Sequence, residues 1–261
     1  MRILRYPVPR KRFGQHFLTD RSVLEKIVAA LAPSDDDFIV EIGPGTGALT
    51  KCLLARANQL TAIEMDRDLV EFLEKNHDLK TLKVIQADVL RFDFSSIQAD
   101  REAATKIRLI GNLPYNISTP LLFHLLGFID QIQDMVFMVQ REVALRLSAR
   151  PGGKNYGRLS VMSNLELECR CLFDVPPQAF HPPPKVQSTL VHLVPNPARH
   201  PIAHPARLDR IVKNAFSQRR KTLRNSLATL VTAEQFQRAE IDPSLRAENL
   251  SPEQYIALSN T

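Results

Sequence analysis

Phe38-Ile39-Val40-Glu41-Ile42-Gly43-Pro44-Gly45-Thr46-Gly47 is a short apolar run that stops abruptly in glycines, and a helix-like stretch from Leu49 to Ala57 follows it. An apolar run of this length bounded by glycine reads as a strand. Three of the chain's nine glycines fall in this one loop. Glycine lets a backbone turn sharply and approach a ligand without a Cβ in the way. The stretch therefore reads as strand, ligand-binding loop, helix.

The same alternation extends on both sides. Val23, Ile27, Val28 and Leu31 form a helical stripe behind a cap at Thr19 or Asp20. Further strands are expected at Leu60–Met65, Leu82–Ala87, Ile107–Ile110 and Met135–Val139, with a helix over Leu69–Lys75. This order predicts an α/β fold, a mostly parallel Rossmann-like sheet with helices on both faces. Glu64, Asp88 and Asn112 are evenly spaced, each just past an apolar run. Parallel strands would bring all three to one crevice at their carboxyl ends, where open α/β sheets bind ligands.

The composition shifts after Phe173. Prolines from Pro176 to Pro205 rule out a continuous helix there, although Val186 to Val194 alternates as a strand does. Beyond Arg207, Leu208, Ile211, Val212, Ala215 and Phe216 share one helical face. Two domains are expected: residues 1–196 carry the sheet and the cofactor, and 197–261 form a small helical domain suited to RNA contact.

Whole-chain properties narrow the function. A hydrophobic content of 44% allows a real core, and a net charge of +6 with a pI near 9.4 fits a polyanionic partner. Three cysteines are too few for a disulfide framework and point to a reducing compartment. Cys169-x-Cys171 has no second ligand pair, and the histidines lack helical spacing or neighbouring carboxylates, so no metal is expected. No apolar run approaches the roughly 18 residues of a membrane helix, and the basic first dozen residues hold no signal-peptide stretch. A cytoplasmic location is expected.

Two cofactors fit the glycine loop. Gly43, Gly45 and Ala48 satisfy the dinucleotide fingerprint, and Glu64 would hold a ribose in either case. An NAD-dependent oxidoreductase is therefore an alternative. Against it, Pro44 removes a backbone donor that a pyrophosphate would want, and no His or Lys stands after the fourth strand as acid or base. Asp88 suits an adenine amino group, since a carboxylate accepts its hydrogen bonds. S-adenosylmethionine has a ribose, an adenine, a cationic sulfonium and no phosphate, which suits two carboxylates better.

Asn112-Leu113-Pro114-Tyr115 ends the Ile107–Ile110 run with an amide, a rigid proline and an aromatic. Pro114 keeps Leu113 extended and so directs its carbonyl. An acceptor, a carbonyl and a flat face are the parts needed to grip an exocyclic amine on a planar base. Methyl transfer to a nucleobase amino nitrogen is the expected chemistry. For Tyr115, as for Phe180, ordinary core packing is the competing expectation.

Arg12-Phe13-Gly14-Gln15-His16-Phe17-Leu18, the loop Glu41 to Gly47 with Leu49-Thr50, and Phe180-x-Pro182-x-Pro184-x-Val186-x-Ser188 occur in that order. With Asn112 to Tyr115 they resemble the KsgA/RsmA group of ribosomal RNA adenine dimethyltransferases, in a superfamily that includes the Erm resistance methyltransferases. The likeness runs from Arg12 to about Leu258. It implies S-adenosylmethionine as cofactor: Gln15, His16 and Leu18 would close over its methionine and ribose side, and Gly43 and Gly45 would pass beneath. Glu64, with Met65 beside it, would hold the ribose hydroxyls, and Asp88 with the backbone of Val89 the adenine.

The resemblance also places Asn112 between cofactor and substrate. Asn112, Leu113, Pro114 and Tyr115 would be catalytic, with Phe180 covering the other face of the base. The implied target is a pair of adjacent adenosines in the 3′-terminal hairpin loop of 16S rRNA in the immature small subunit, with a role in its biogenesis. Arg10, Lys11 and Arg12 near the entrance, and Arg219, Arg220, Lys221 and Arg224 crowded on one helix or helix turn, are the candidates for phosphate contact. A monomer is expected. An Erm-type enzyme acting on 23S rRNA, and an assembly factor that has lost the chemistry, are the alternatives closest to this reading.

Overall fold

The computed structural model describes residues 9–10, 14–98, 105–197 and 201–261. A short strand, β1 (Phe17–Leu18), leads into α1 (Arg21–Leu31), whose amino end is capped by Asp20, the acceptor for the Val23 N–H at 3.1 Å. Strands and helices then alternate: β2 (Phe38–Ile42), α2 (Ala48–Leu54), β3 (Leu60–Glu64), α3 (Arg67–Asn76), β4 (Leu82–Gln86), α4 (Ser95–Gln98), β5 (Ile107–Asn112), α5 (Ser118–Leu126) and β6 (Ile132–Gln140). After α6 (Arg141–Leu147) and α7 (Arg158–Glu166) come β7 (Leu167–Val175), β8 (Phe180–His181) and β9 (Ser188–Pro195). The chain finishes with α8 (Pro205–Ser217), α9 (Leu223–Ser226), α10 (Ala233–Arg238) and α11 (Pro252–Ser259).

Seven strands form one sheet in the order β4-β3-β2-β5-β6-β9-β7. β4, β3, β2, β5 and β6 are parallel, and β9 runs antiparallel to β6. The expected mostly parallel sheet is therefore present. Every residue of β2 and β3 is buried, as strands covered on both faces must be. Val23, Ile27 and Leu31 of α1, Leu53 of α2 and Leu73 of α3 share one core cluster with Ile39, Leu60, Ala62 and Val136 of the sheet. β7 and the antiparallel pairing of β1 with β8 were not anticipated.

The strand order reverses beside β2. The chain leaves β2 for β3 and β4 on one side, then returns to lay β5 on the other. Gly111 makes that return possible, because a Cβ there would stand 2.4 Å from the Ile42 carbonyl oxygen. β5 also runs past Ile110, so Asn112 is its last residue, paired with Met138. At the opposite end of the sheet Arg108 bridges Asp37 at 2.6 Å and Asp134 at 2.8 Å, tying the amino ends of the central strands together.

The chain divides into two compact units. One comprises the chain to Ala144 with Arg170–Pro195; the other comprises Leu145–Cys169 with Asn196–Thr261. Residues 145–169, expected in the first domain, thus belong to the second. Tyr156, Val161 and Leu165 pack with Leu208, Ile211, Val212 and Tyr255, and buried Tyr156 donates to the Leu250 carbonyl at 2.9 Å. A helical stripe shows in sequence, but the core that it joins does not. Among the described residues, no helix is long and apolar enough to cross a membrane.

Candidate active site at the carboxyl ends of the parallel strands

A cavity of about 380 Å³ opens in the first unit where β2, β3, β4 and β5 end, at the reversal of strand order. Its lining includes Gln15, His16, Leu18, Gly43, Gly45, Glu64, Met65, Asp88, Val89, Asn112, Leu113, Pro114 and Tyr115. The structure thus gathers these residues, scattered in sequence, around one space. Glu41, Asn116 and Ile117 line it too and were not singled out.

One side of the cavity is acidic. Glu64 ends β3, is 7% exposed, and accepts the Asp66 N–H at 2.9 Å and the Gly45 N–H at 3.3 Å. Burial raises its pKa, and these backbone donors only partly offset that. Glu41, buried in β2, accepts the Thr50 hydroxyl at 2.6 Å, yet desolvation pushes its pKa up to about 7. Asp88 follows β4, accepts the Leu90 N–H at 3.0 Å and keeps a partly exposed carboxylate.

The glycines of the loop spend their N–H groups inside the protein. The N–H of Gly43 goes to Ile63, that of Gly45 to Glu64 and that of Gly47 to Pro44, while Pro44 has none. All three glycines have positive φ, between 59° and 80°, which L side chains rarely adopt. A pyrophosphate would meet Glu41, Glu64 and Asp88 with no lysine or arginine among the lining residues. This charge balance favours a cationic ligand over a pyrophosphate. The same acceptors suit a cation bearing hydroxyls and an amine.

The other side is neutral. Asn112 Nδ2 donates to the His16 carbonyl at 2.8 Å, which leaves Oδ1 as the end of the amide with no donor among the described residues. The Leu113 N–H is used by Met138 at 3.1 Å, and the Pro114 carbonyl accepts from Ile117 and Ser118. No described backbone N–H takes the Leu113 carbonyl. The Tyr115 hydroxyl bonds Ser188 Oγ at 2.7 Å, and the His16 ring lies along the Tyr115 ring at 5.6 Å and 28°. Burial raises the pKa of the Tyr115 phenol.

Gly14 to Leu18 roofs the cavity. His16 Nδ1 lies 2.7 Å from the Pro182 carbonyl oxygen, and β1 pairs with β8. Gln15 accepts the Arg10 N–H at 2.8 Å. Arg10 in turn bonds Asp66 at 2.8 Å and also pairs with Asp68. Arg10, expected at an RNA entrance, is therefore spent on fastening this segment. Lys11 and Arg12 lie outside the described residues.

Phe180 departs from its expected role. It is 3% exposed, sits opposite Leu18 in the β1–β8 pair, belongs to the core and does not line the cavity. Packing, the competing expectation, describes it here. Arg219, Arg220, Lys221 and Arg224 are all exposed, but they lie across the break between α8 and α9 instead of on one helix. Arg219 is committed to Glu248 at 2.8 Å and to the Lys154 carbonyl at 2.9 Å. Among the described residues, no group of three or more His, Cys, Asp or Glu is placed to hold a metal ion.

Residues 8–261 match the family described as ribosomal RNA adenine dimethylase. The chain belongs to that family. A ribosomal RNA small subunit methyltransferase A from Herminiimonas arsenicoxydans is 49% identical over 253 residues, covering 97% of this chain and 98% of that protein. The protein of the same name from Coxiella burnetii is also 49% identical, covering 96% of each. A dimethyladenosine transferase from Plasmodium falciparum superposes with a TM-score of 0.77 at 25% identity, over 93% of this chain and 96% of that one. The 23S rRNA methyltransferase ErmE superposes with a TM-score of 0.66 at 25% identity, over 94% and 98%. Family membership sets aside the NAD-dependent oxidoreductase.

Proposed function

We infer that this ribosomal RNA adenine dimethylase uses S-adenosylmethionine to convert adenosines of small-subunit rRNA to N6,N6-dimethyladenosine. Asn112 Oδ1 and the Leu113 carbonyl, which take no donor among the described residues and belong to consecutive residues of the neutral wall, carry this reading. The small-subunit target follows from relatives near 49% identity, against 25% for ErmE. The finer target is the pair of adjacent adenosines in the 3′-terminal hairpin loop of 16S rRNA, met in an immature subunit in the cytoplasm.

Glu64 would hold the ribose hydroxyls of the cofactor with the acceptor capacity its carboxylate keeps beyond the backbone bonds from Asp66, Gly45 and Met65. Asp88 and the Val89 backbone would hold the adenine, and Gln15, His16 and Leu18 would cover it. When bound, S-adenosylmethionine supplies an electrophilic methyl group on a cationic sulfur.

The chain's own residues prepare the acceptor. An adenine amino nitrogen is a poor nucleophile because its lone pair is delocalised into the ring. Accepting hydrogen bonds from its two N–H groups at Asn112 Oδ1 and the Leu113 carbonyl favours pyramidal nitrogen and frees that pair. The Tyr115 ring supports the base, which has to be unpaired or flipped out to enter. Positioning carries most of the rate, and no strong general base is needed, since an alkylated aryl ammonium loses its proton readily to solvent. A monomethylated amine still offers one proton to these acceptors, so the second transfer uses the same grip.

Labelled S-adenosylmethionine supplied with undermethylated small subunits tests the whole reading. Dimethyladenosine in the 3′-terminal hairpin is expected; label confined to large-subunit RNA would overturn the target, and cofactor binding without any label would overturn the chemistry. For the basic turn, Arg220, Lys221 and Arg224 are the proposed phosphate contacts. Replacing all three with Ala should lower the salt dependence of RNA binding by up to about 2 units of log–log slope. An unchanged slope excludes them.

A further inference from the structure

Ser188 opens β9, fully buried, with its backbone register set opposite Gln140 of β6. It does not line the cavity. A buried hydroxyl is costly unless it is bonded, and an alanine would fill the same place in a strand without that cost. The partner is the Tyr115 hydroxyl at 2.7 Å. Tyr115 lies in the turn between β5 and α5, partly buried and on the cavity wall. Its chain end is held in that turn, where the Ser118 N–H donates to the Pro114 carbonyl and Ser118 Oγ to the Tyr115 carbonyl at 3.2 Å.

We propose that Ser188 is a positioning residue for the methyl transfer: it anchors the Tyr115 hydroxyl to the sheet, fixing where the ring that supports the target base stands and keeping that hydroxyl away from the reacting amine. The inference rests on the proposed function, in which Tyr115 supports the base. Two side-chain torsions orient a tyrosine ring; its hydroxyl oxygen lies on the axis of the second, so a bond there fixes the first torsion and the position of the ring, and the ring's neighbours set its plane. The anchor is stiff, because serine has a single torsion and this one stands on a paired strand. His16, stacked along the ring at 5.6 Å, completes the restraint. The raised phenol pKa keeps the hydroxyl protonated near neutrality, so the ring acts as a surface and not as a base.

The test compares the parent with Ser188→Ala, Tyr115→Phe and the double variant. Each is measured for kcat on undermethylated small subunits, for S-adenosylmethionine Kd and for melting temperature. Each single change should lower kcat roughly five- to tenfold with an unchanged Kd. The double variant should lose no more than either single one, because both remove the same bond. Ser188→Thr, which keeps the hydroxyl, should restore most of the rate. Parental kcat in Ser188→Ala, or losses that multiply in the double variant, would overturn the assignment. If Ser188→Ala does not fold, Tyr115→Phe breaks the same bond from the less buried partner. Tyr115→Ala separates the two readings. A parental rate there sinks the stacking role itself, whereas an inactive Tyr115→Ala beside fully active Tyr115→Phe and Ser188→Ala overturns only the role of Ser188.

Discussion

The two walls of the cavity solve opposite problems a few residues apart. On the wall built by β2, β3 and β4, carboxylates are buried with too few donors to neutralise them, so Glu41 and Glu64 are both shifted toward the protonated form. On the wall built by β5 there is no charge at all. There the acceptors are an amide oxygen, aimed by the bond its nitrogen makes to His16, and a carbonyl directed by the proline that follows it. The first wall stores a demand for positive charge, and the second offers weak, well-aimed acceptors. A cation suits the one and a neutral amine the other, which separates cofactor from substrate by electrostatics alone.

That contrast is open to breakage. Asn112→Ala removes the aimed acceptor and should cost at least about 100-fold in kcat, while S-adenosylmethionine Kd stays within about threefold; comparable rates for variant and parent would end the division of labour. Glu64→Gln keeps the shape but not the charge and should weaken cofactor binding by roughly 10- to 50-fold, read by calorimetry, with a much smaller change in kcat at saturation. Gly111→Ala strikes the seam between the walls. Its Cβ has no room beside the Ile42 carbonyl, so a loss of about 1–3 kcal/mol in stability is expected from chemical denaturation.

The most gradual effect is a tilt with pH. The Glu41 carboxyl ordinarily titrates at 4.5 and is raised to about 7 by burial, so the folded chain binds that proton more tightly than the unfolded one. Stability from this group is greatest below pH 4.5 and falls as pH rises to about 7, then levels off. Glu41→Gln should remove up to about 3 kcal/mol of that decline. Urea midpoints at pH 5 and pH 8 read it, and an unchanged difference between them would contradict a buried, proton-holding Glu41.

Glu64, Asp88 and Asn112 were legible because parallel strands here are apolar runs with sharp ends, and their carboxyl ends share one edge. β7 was harder. Leu167, Cys169, Cys171, Phe173 and Val175 do alternate with Glu168, Arg170, Leu172 and Asp174, but two thiols two apart draw attention to sulfur chemistry before strand pattern. Phe180 shows a different limit: a motif marks that a ring is present, while the pairing of β8 with β1 decides which way it packs. Arg10 and Arg219 show another. Charge is visible in sequence, but the carboxylates that absorb it, Asp66, Asp68 and Glu248, come from distant parts of the chain.

His16 joins the neutral wall to the roof. Its backbone holds the Asn112 amide, its ring lies along Tyr115, and its segment is the roof. Lifting that roof strips Asn112 of its orienting bond and Tyr115 of its neighbour in the same movement. On the proposed function, entry and chemistry are thereby interlocked, as in a machine that cannot run with its guard raised: the grip on the amine would exist only while the cover over the cofactor is shut.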